Sequence, residues 1–264
     1  MTSNFLELKG LYKSFGNVTA LNNVSLNVSK GEVIFIIGPS GCGKSTLLRS
    51  INWLTPPDKG EVWLEGNLVR SSFSKLTIKK SRLLNNYRAK MGMVFQQFNV
   101  WPHLNVLENV VRAQLVVAKR NRASAESKAL KILDEVGLQN KVDEWPDYLS
   151  GGQKQRATLA RGLIRKAPVL ILDDCFSAVD TETEEHILSE LKRVRAGQTT
   201  ILVSHRVSTA RHADNIIVLD EGVVIEKGSH EELLLEGGYY AELERVQREG
   251  GQDGDLKNKR VGVR

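Results

Sequence analysis

The stretch Val33-Ile34-Phe35-Ile36-Ile37-Gly38-Pro39-Ser40-Gly41-Cys42-Gly43-Lys44-Ser45-Thr46 decides the fold. An apolar run of strand length ends in a glycine-bearing loop, and Leu47-Leu48-Arg49-Ser50-Ile51 continues at helical spacing. Strand, loop and helix in this order, with Gly38, Gly43, Lys44 and Ser45 at the spacing G-x-x-x-x-G-K-[ST], make a phosphate-binding loop. The glycines let successive N–H groups turn toward phosphate oxygens, and the helix that follows adds the positive end of its dipole. Lys44 is expected to reach the β- and γ-phosphates, and the Ser45 hydroxyl to ligate Mg2+. A glycine-rich turn with no ligand would not need the strand, the spacing, the lysine and the serine together.

Outward from this loop, composition sets the bounds. The 264 residues are 41% hydrophobic and 26% charged, enough for one large α/β domain or two small ones. The longest apolar runs, such as Val33 to Ile37 and Val169 to Leu172, fall far short of the roughly 20 residues of a membrane helix. Met1 to Leu8 has no basic segment followed by an apolar stretch, so no secretory leader is expected and a cytoplasmic location is inferred. Cys42 and Cys175 fit a reducing compartment and have neither metal-ligand spacing nor a disulfide pattern. The formal net charge is +6. Much of the excess lies in the acid-free stretch Arg70 to Lys90 and in Lys257, Lys259, Arg260 and Arg264, read as solvated basic surface with no specific nucleic-acid partner.

Upstream, residues 5 to 37 read as an antiparallel β region, with alternation over Phe5 to Leu11 and again over Val24 to Val28. Tyr12, just before the Phe15-Gly16-Asn17 turn, has a face able to stack on an adenine ring. Downstream, Thr55 to Gly60 is a turn by composition, Glu61 to Leu64 a short strand closed by Gly66, and the basic segment to Arg88 a loop with a helical turn. Met91 to Phe95 is another strand, ending at Gln96-Gln97. Residues 104 to 138 carry helical spacing, and Gly137 is placed as the C-cap.

A second motif is Leu149-Ser150-Gly151-Gly152-Gln153, which opens the helical stretch Lys154 to Arg165 with Ser150 as N-cap. Beyond Ala167-Pro168, the strand Val169 to Leu172 delivers Asp173 and Asp174 at its carboxyl end, where a phosphate-loop protein places metal-associated and catalytic carboxylates. The strand Thr199 to Val203 leads to Ser204 and His205. Because ligands of open α/β sheets bind at the carboxyl ends of strands, residues 38 to 46, Asp173, Asp174 and His205 are expected to serve one cleft.

With these motifs in hand, the chain from Phe5 to about Gln247 resembles the ATP-binding-cassette family of transporter ATPases. The resemblance implies an α/β fold: a RecA-like P-loop NTPase core with an antiparallel β subdomain and an inserted α-helical subdomain. Residues 1–96 would hold the β region and the first half of the core, 97–156 the helical and signature segment, 157–248 the second half, and 249–264 a disordered tail. It implies that Tyr12 and Val18 contact adenine and that Gly38, Pro39, Ser40, Gly41, Cys42, Gly43, Lys44, Ser45 and Thr46 form the Walker A loop. Gln96 would be the Q-loop glutamine near Mg2+, and Ser45, Gln96 and Asp173 its ligands. Leu149 to Gln153 would be the signature, with Ser150, Gly151, Gly152 and Gln153 facing nucleotide. Ser177-Ala178-Val179-Asp180 would be the D-loop, with Asp180 at the nucleotide site. Asp174, His205 and Gln96 would carry catalysis. ATP and Mg2+ are the implied cofactors. The implied partners are a second cassette, joined head to tail with Walker A facing signature, and transmembrane subunits that would hold the chain on the inner face of the membrane.

Two departures stand out. Asp174 occupies a position where competent members of the family carry Glu. Its carboxylate is one methylene shorter, a retraction of about 1 Å, and misplacement on that scale costs roughly 10²-fold in rate. Slow turnover with nearly intact ATP binding is therefore expected. In addition, Met91 to Val110 resembles amino-acid importer subunits, whereas Ile171 to Asp180 and Ser204 to Thr209 resemble multidrug or lipid exporters. A natural cassette of mixed character and a recombined chain joined between residues 137 and 157 both fit, and the mismatch of patterns favours the second. A soluble DNA-repair or translation cassette would carry a long coiled coil or a second cassette, and neither is present.

The C-terminal region reads as a hairpin over Ile216 to Ile225, a helix capped at Ser229, a last helix over Tyr239 to Gln247, and a polar basic tail. Cys42, beside a helix N-terminus, supports two readings: a thiol of lowered pKa whose alkylation would block ATP binding, and, at least as well, an inert small residue filling the loop.

Overall fold

The computed structural model describes residues 4–71, 78–97 and 99–249. In chain order its elements are β1 (Leu6–Phe15), β2 (Val18–Val28), β3 (Val33–Ile37), α1 (Lys44–Ile51), β4 (Lys59–Leu64), β5 (Asn67–Ser71), α2 (Ile78–Ala89), β6 (Met91–Val94), α3 (Val106–Val116), α4 (Arg122–Glu135), α5 (Gly151–Leu163), β7 (Val169–Asp173), α6 (Thr181–Val194), β8 (Thr199–Val203), α7 (Val207–Ala210), β9 (Asn215–Asp220), β10 (Val223–Gly228), α8 (His230–Glu236) and α9 (Tyr239–Arg248). They form two compact units, Met1–Lys90 with Gly197–Arg264, and Met91–Ala196.

The first unit holds an antiparallel sheet in the order β2-β1-β4-β5. Along β1, Leu6 and Leu8 are buried, and then the alternation breaks. Register shifts against both neighbours insert an extra residue, so Leu11 rather than residue 10 turns inward. The same unit builds a second layer in which β3 runs parallel to β8 on one side and β9 on the other, with β10 antiparallel beyond β9. A strand in the middle of a parallel sheet is covered on both faces, which is why β3 is a continuous apolar run. Ile34 to Ile37 are all fully buried.

The second unit pairs β6 with β7 in parallel, Val94 opposite Leu172, and packs α3, α4 and α5 together. The sequence reading of 104 to 138 resolves into two helices. Asn105 starts α3 with a reciprocal capping box to Glu108, and Asn121 caps α4. Gly137 follows the Val136 C-cap in the left-handed region, and its N–H returns to Asp134 O.

One expectation is corrected between residues 67 and 90. Instead of a loop with a helical turn throughout, β5 forms before residues 72–77, which lie outside the described residues, and the three-turn helix α2 after them. Tertiary contacts override a weak periodic signal here. Leu84 and Tyr87, three residues apart, are buried, the Tyr87 hydroxyl donates to Ile51 O at 2.5 Å, and Arg88 Nη2 donates to Trp53 O at 2.7 Å. Burial pushes the Tyr87 phenol well above its ordinary range. The tail read as disordered, beyond residue 249, lies outside the described residues, as do Lys75, Lys257, Lys259, Arg260 and Arg264.

Asn109, buried on α3, ties the preceding segment to the helix. Its Nδ2 donates to the carbonyls of Trp101, Leu104 and Asn105 at 3.1, 2.9 and 3.0 Å, and its Oδ1 accepts from Trp101 N at 2.8 Å. Asn109→Ala strands these buried backbone groups and should cost about 2 to 3 kcal/mol of stability in urea unfolding. A loss below about 0.5 kcal/mol would show that other groups satisfy the segment.

Candidate functional site

In the first unit, the loop of residues 38 to 43 leaves the carboxyl end of β3 and enters α1. Gly43 is the N-cap of α1, with φ 109°. A Cβ on Gly38, at φ 150°, would stand 1.9 Å from Leu219 O, and one on Gly43 would stand 2.2 Å from Ala20 O. Only glycine fits either place. Backbone bonds complete the wall: Gly222 N donates to Cys42 O at 3.0 Å, and Asn22 N to Gly222 O at 2.8 Å. Lys44 is buried, and its Nζ donates to Gly38 O at 2.7 Å and Pro39 O at 2.9 Å, so the ammonium spans the loop from which it springs. Ser40 and Gly41 lie exposed at the loop tip, and Ser45 and Thr46 are half-buried in the first turn of α1. This backbone cradle, with a lysine folded into it and an unblocked helix start, fits a phosphate chain.

The tip of the β1–β2 hairpin belongs to the same unit, and Ala20 of β2 fills the space that a Cβ on Gly43 would need. Tyr12, expected to stack on adenine, is half-buried and faces Lys59, whose Nζ lies 5.9 Å from its ring centroid. Phe15, which the sequence pattern places only within a turn, is a second aromatic here. It is 53% exposed and pairs across the hairpin with Val18, itself 67% exposed. An aromatic placed just before a hairpin glycine was a signal available in the sequence.

Also in this unit, His205 follows β8 by two residues and is half-buried. Its carbonyl accepts from Gln247 Nε2 on α9 at 2.5 Å.

In the second unit, the parallel register continues past the strands. Two residues beyond the Val94 and Leu172 pair come Gln96 and Asp174, and Gln96 Nε2 donates to Asp174 Oδ2 at 3.1 Å. Asp173 is 1% exposed and Asp174 8%. Asp174 adopts φ 48°, a left-handed conformation that Asp tolerates better than most side chains. Its carbonyl accepts from Ser177 Oγ at 3.3 Å, and Gln155 of α5 donates to that hydroxyl at 3.1 Å while accepting from Ala178 N at 3.0 Å. Ser150 is the N-cap of α5, closed by a reciprocal box: Gln153 N donates to Ser150 Oγ at 3.3 Å and Ser150 N to Gln153 Oε1 at 2.9 Å. Ser150 and Gly151 are exposed, and Gly152 and Gln153 half-buried. Asp180 caps α6 through Thr183 N at 2.9 Å, and the Thr183 hydrogen bonds hold its carboxyl below the ordinary range.

The family model described as ABC transporter matches residues 21–177, more than half of the chain. The chain belongs to the ABC transporter family. It is an ATP-binding and ATP-hydrolysing cassette with the α/β fold of that family. It is similar to the L-cystine import ATP-binding protein TcyC of Bacillus subtilis, 40% identical over 231 residues, covering 87% of this chain and 92% of that protein. It is also similar to the histidine/lysine/arginine/ornithine transport ATP-binding protein HisP of Escherichia coli, 38% identical over 240 residues, with coverage of 89% and 93%. Among solved structures, the dimeric cassette MJ0796 bound to ADP and phosphate matches with TM-score 0.76 and 34% identity, covering 85% of this chain and 98% of that one. A bacterial Atm1-family ABC exporter with ATP bound matches with TM-score 0.79 and 27% identity over 94% of this chain and 42% of its own.

These matches give the recombined origin no support. Importer-type relatives run through both portions of the cassette as one match, and the exporter structure likewise covers nearly all of it. The mixed motifs therefore need no join. Among the described residues, no helix of the cassette is long and apolar enough to cross a membrane.

Of the two readings of Cys42, the structure favours the inert one over a thiol of lowered pKa. The thiol is 6% exposed, and burial pushes its pKa up more than the Lys44 ammonium, 3.8 Å from Sγ, pulls it down. Cys175 is pushed further up by complete burial and by the charges of Asp174 and Glu184. A raised pKa leaves the thiol protonated at neutral pH, and the protonated form is not the nucleophile. The folded cassette should therefore take up iodoacetamide at pH 7 more than about tenfold more slowly than the urea-unfolded chain, read by mass spectrometry. Rapid native labelling at Cys42 would contradict this placement.

Proposed function

We propose that the cassette is the energising subunit of an amino-acid importer, working as a head-to-tail dimer with a second cassette on the inner face of a membrane, bound to transmembrane subunits. The observation that carries the nucleotide chemistry is the glycine-walled loop closed by Lys44. Support for import comes from the relatives named for cystine and basic amino-acid transport, and support for pairing from the dimeric MJ0796 cassette. Residues 1–96, 97–156 and 157–248 remain our division of the chain into β and first-core, helical and signature, and second-core segments.

Gly38 to Thr46 bind the phosphates, with Lys44 neutralising charge that grows on them. Ser45, Gln96 and Asp173 are assigned to Mg2+, whose preference for oxygen donors their hydroxyl, amide carbonyl and carboxylate meet. Bound ATP supplies the phosphoryl group that is transferred to water. Asp174 polarises that water and takes its proton, held in orientation by Gln96. His205 donates to charge developing on the transferred group. Ser150 to Gln153 and Asp180 face the partner's nucleotide. For adenine, the exposed Phe15 and Val18 pair is a better platform than half-buried Tyr12, because stacking needs accessible ring surface. Each ring has a lysine ammonium over it, Lys13 at 5.4 Å from Phe15 and Lys59 at 5.9 Å from Tyr12, so exposure separates them.

Two measurements test this reading. Steady-state hydrolysis and ATP binding are compared for the purified chain, Asp174→Glu and Lys44→Ala. Lengthening the carboxylate should raise turnover by about 10- to 100-fold, and losing Lys44 should remove binding. A variant with Glu that is no faster sinks the assignment of Asp174 as the limiting group. Separately, Phe15→Ala should weaken ATP binding by about 1 to 3 kcal/mol while leaving triphosphate binding intact, and Tyr12→Ala should do so far less. The reverse order would return the adenine to Tyr12.

A further inference from the structure

Helix α9 is fastened at both ends, and its second fastening is to the segment that carries His205. At its start, where Gly238 offers no cap, the Glu226 carboxylate of β10 accepts from Tyr239 N at 2.5 Å and Tyr240 N at 3.0 Å. A carboxylate there also suits the positive end of the helix. Tyr240, Glu244 and Gln247 then recur at helical spacing on one face. The Tyr240 hydroxyl is 2.8 Å from His230 Nδ1 on α8. Glu244, almost buried, accepts from Arg211 Nη2 at 3.2 Å and Arg248 Nη2 at 3.0 Å.

Gln247 completes that face. Its Nε2 donates to His205 O at 2.5 Å, and its Oε1 accepts from Val207 N at 2.8 Å. One planar amide thus grips the backbone on both sides of Arg206, which itself is extended, at φ −100° and ψ 122°, and gives α7 no side-chain cap. The acceptor that the first turn of α7 lacks locally comes from α9 instead. Glu244 holds the far end of the same short segment through Arg211.

We propose that Gln247 is a positioning residue for hydrolysis: it fixes the backbone path from Ser204 to Val207 and so the point from which His205 acts. This rests on the role assigned to His205 above. Gln247 acts through the backbone of His205 and Val207 rather than on nucleotide. It sets where the imidazole sits when the reaction occurs, so its loss should act on turnover and spare ATP affinity.

The experiment is steady-state hydrolysis with Mg2+ and ATP by the full chain and by Gln247→Met, Gln247→Ala, His205→Ala and the double variant His205→Ala/Gln247→Ala, with ATP binding and thermal unfolding measured alongside. Gln247→Met keeps the length and apolar stem but neither hydrogen bond. It should lower kcat about 10- to 100-fold while KM for ATP stays within about twofold. In the His205→Ala background, replacing Gln247 should cost nothing more. Activity retained in Gln247→Met would reduce the residue to packing and overturn the proposal. A loss in the double variant equal to the product of the single losses would overturn it too, since Gln247 would then act independently of His205. If His205→Ala itself hydrolyses ATP at the full rate, the assignment of His205 fails; if it is slow while Gln247→Met is not, that assignment stands and only the positioning fails.

Discussion

The phosphate loop depends on two close approaches of backbone to backbone. The carbonyls of Leu219 and Ala20 occupy the space that side chains on Gly38 and Gly43 would need. Three segments distant in sequence, around residues 20, 40 and 220, are thereby locked together, and Gly222 links the other two by one hydrogen bond each way. The wall is made of main chain, so its position is set by strand pairing rather than by flexible side chains. β3 lies between β8 and β9, and the β9–β10 hairpin brings Leu219 and Gly222 to the loop. A packed sheet holds such positions to within fractions of an ångström, and that is what a cradle of N–H groups requires. Lys44 contributes charge at the same place, its ammonium bonded to the first two carbonyls of the loop.

In the second unit the limiting problem is buried charge. Asp173 and Asp174 sit at the end of a strand whose residues are all buried, where an unpaired carboxylate would be costly. Strand register solves part of it by delivering the Gln96 amide to Asp174. Gln155 solves another part from α5, holding Ser177 and Ala178 just after the carboxylates. The helix that begins at the Ser150 cap therefore also fixes the path of the chain behind Asp174, so a shift of α5 cannot leave residues 177 and 178 where they were.

Much of this was legible in the sequence, for definite reasons. The phosphate loop, β3, β7, β8, the Ser150 cap and the β9–β10 hairpin all leave local signals: a continuous apolar run, a glycine at a forced position, a capping residue before a helical period. β5 and α2 leave weaker ones. α2 has little apolar periodicity, and what holds it is the reach of Tyr87 and Arg88 to the carbonyls of Ile51 and Trp53, about 35 residues away in sequence. The Cys42 thiol is undecided in the sequence for a similar reason. Helix-terminus position is visible in sequence and argues for a low pKa, but burial beneath the loop is not visible, and burial dominates. Phe15 and Tyr12 show the same divide: both are aromatics at a strand end, and only the bulge along β1 and the turn beside Phe15 decide which ring is the more exposed.

What the sequence hides most completely is the use of side-chain amides to hold irregular loop segments. Gln96 donates to the Asp174 carboxylate itself, while Gln155 and Gln247 each bind a segment adjoining a proposed functional residue and use donor and acceptor of one amide at once. Chemistry favours glutamine for this. A loop backbone offers an N–H and a C=O that regular structure would otherwise pair, and a single uncharged amide can meet both without placing another charge beside phosphates and carboxylates. Lysine could satisfy only the carbonyl, and glutamate only the N–H. On a helix such a glutamine reads as ordinary polar surface, because the period of the helix predicts its face but not its partner. The loops can then adopt irregular paths suited to chemistry while rigid helices, α5 in one unit and α9 in the other, carry the cost of holding them.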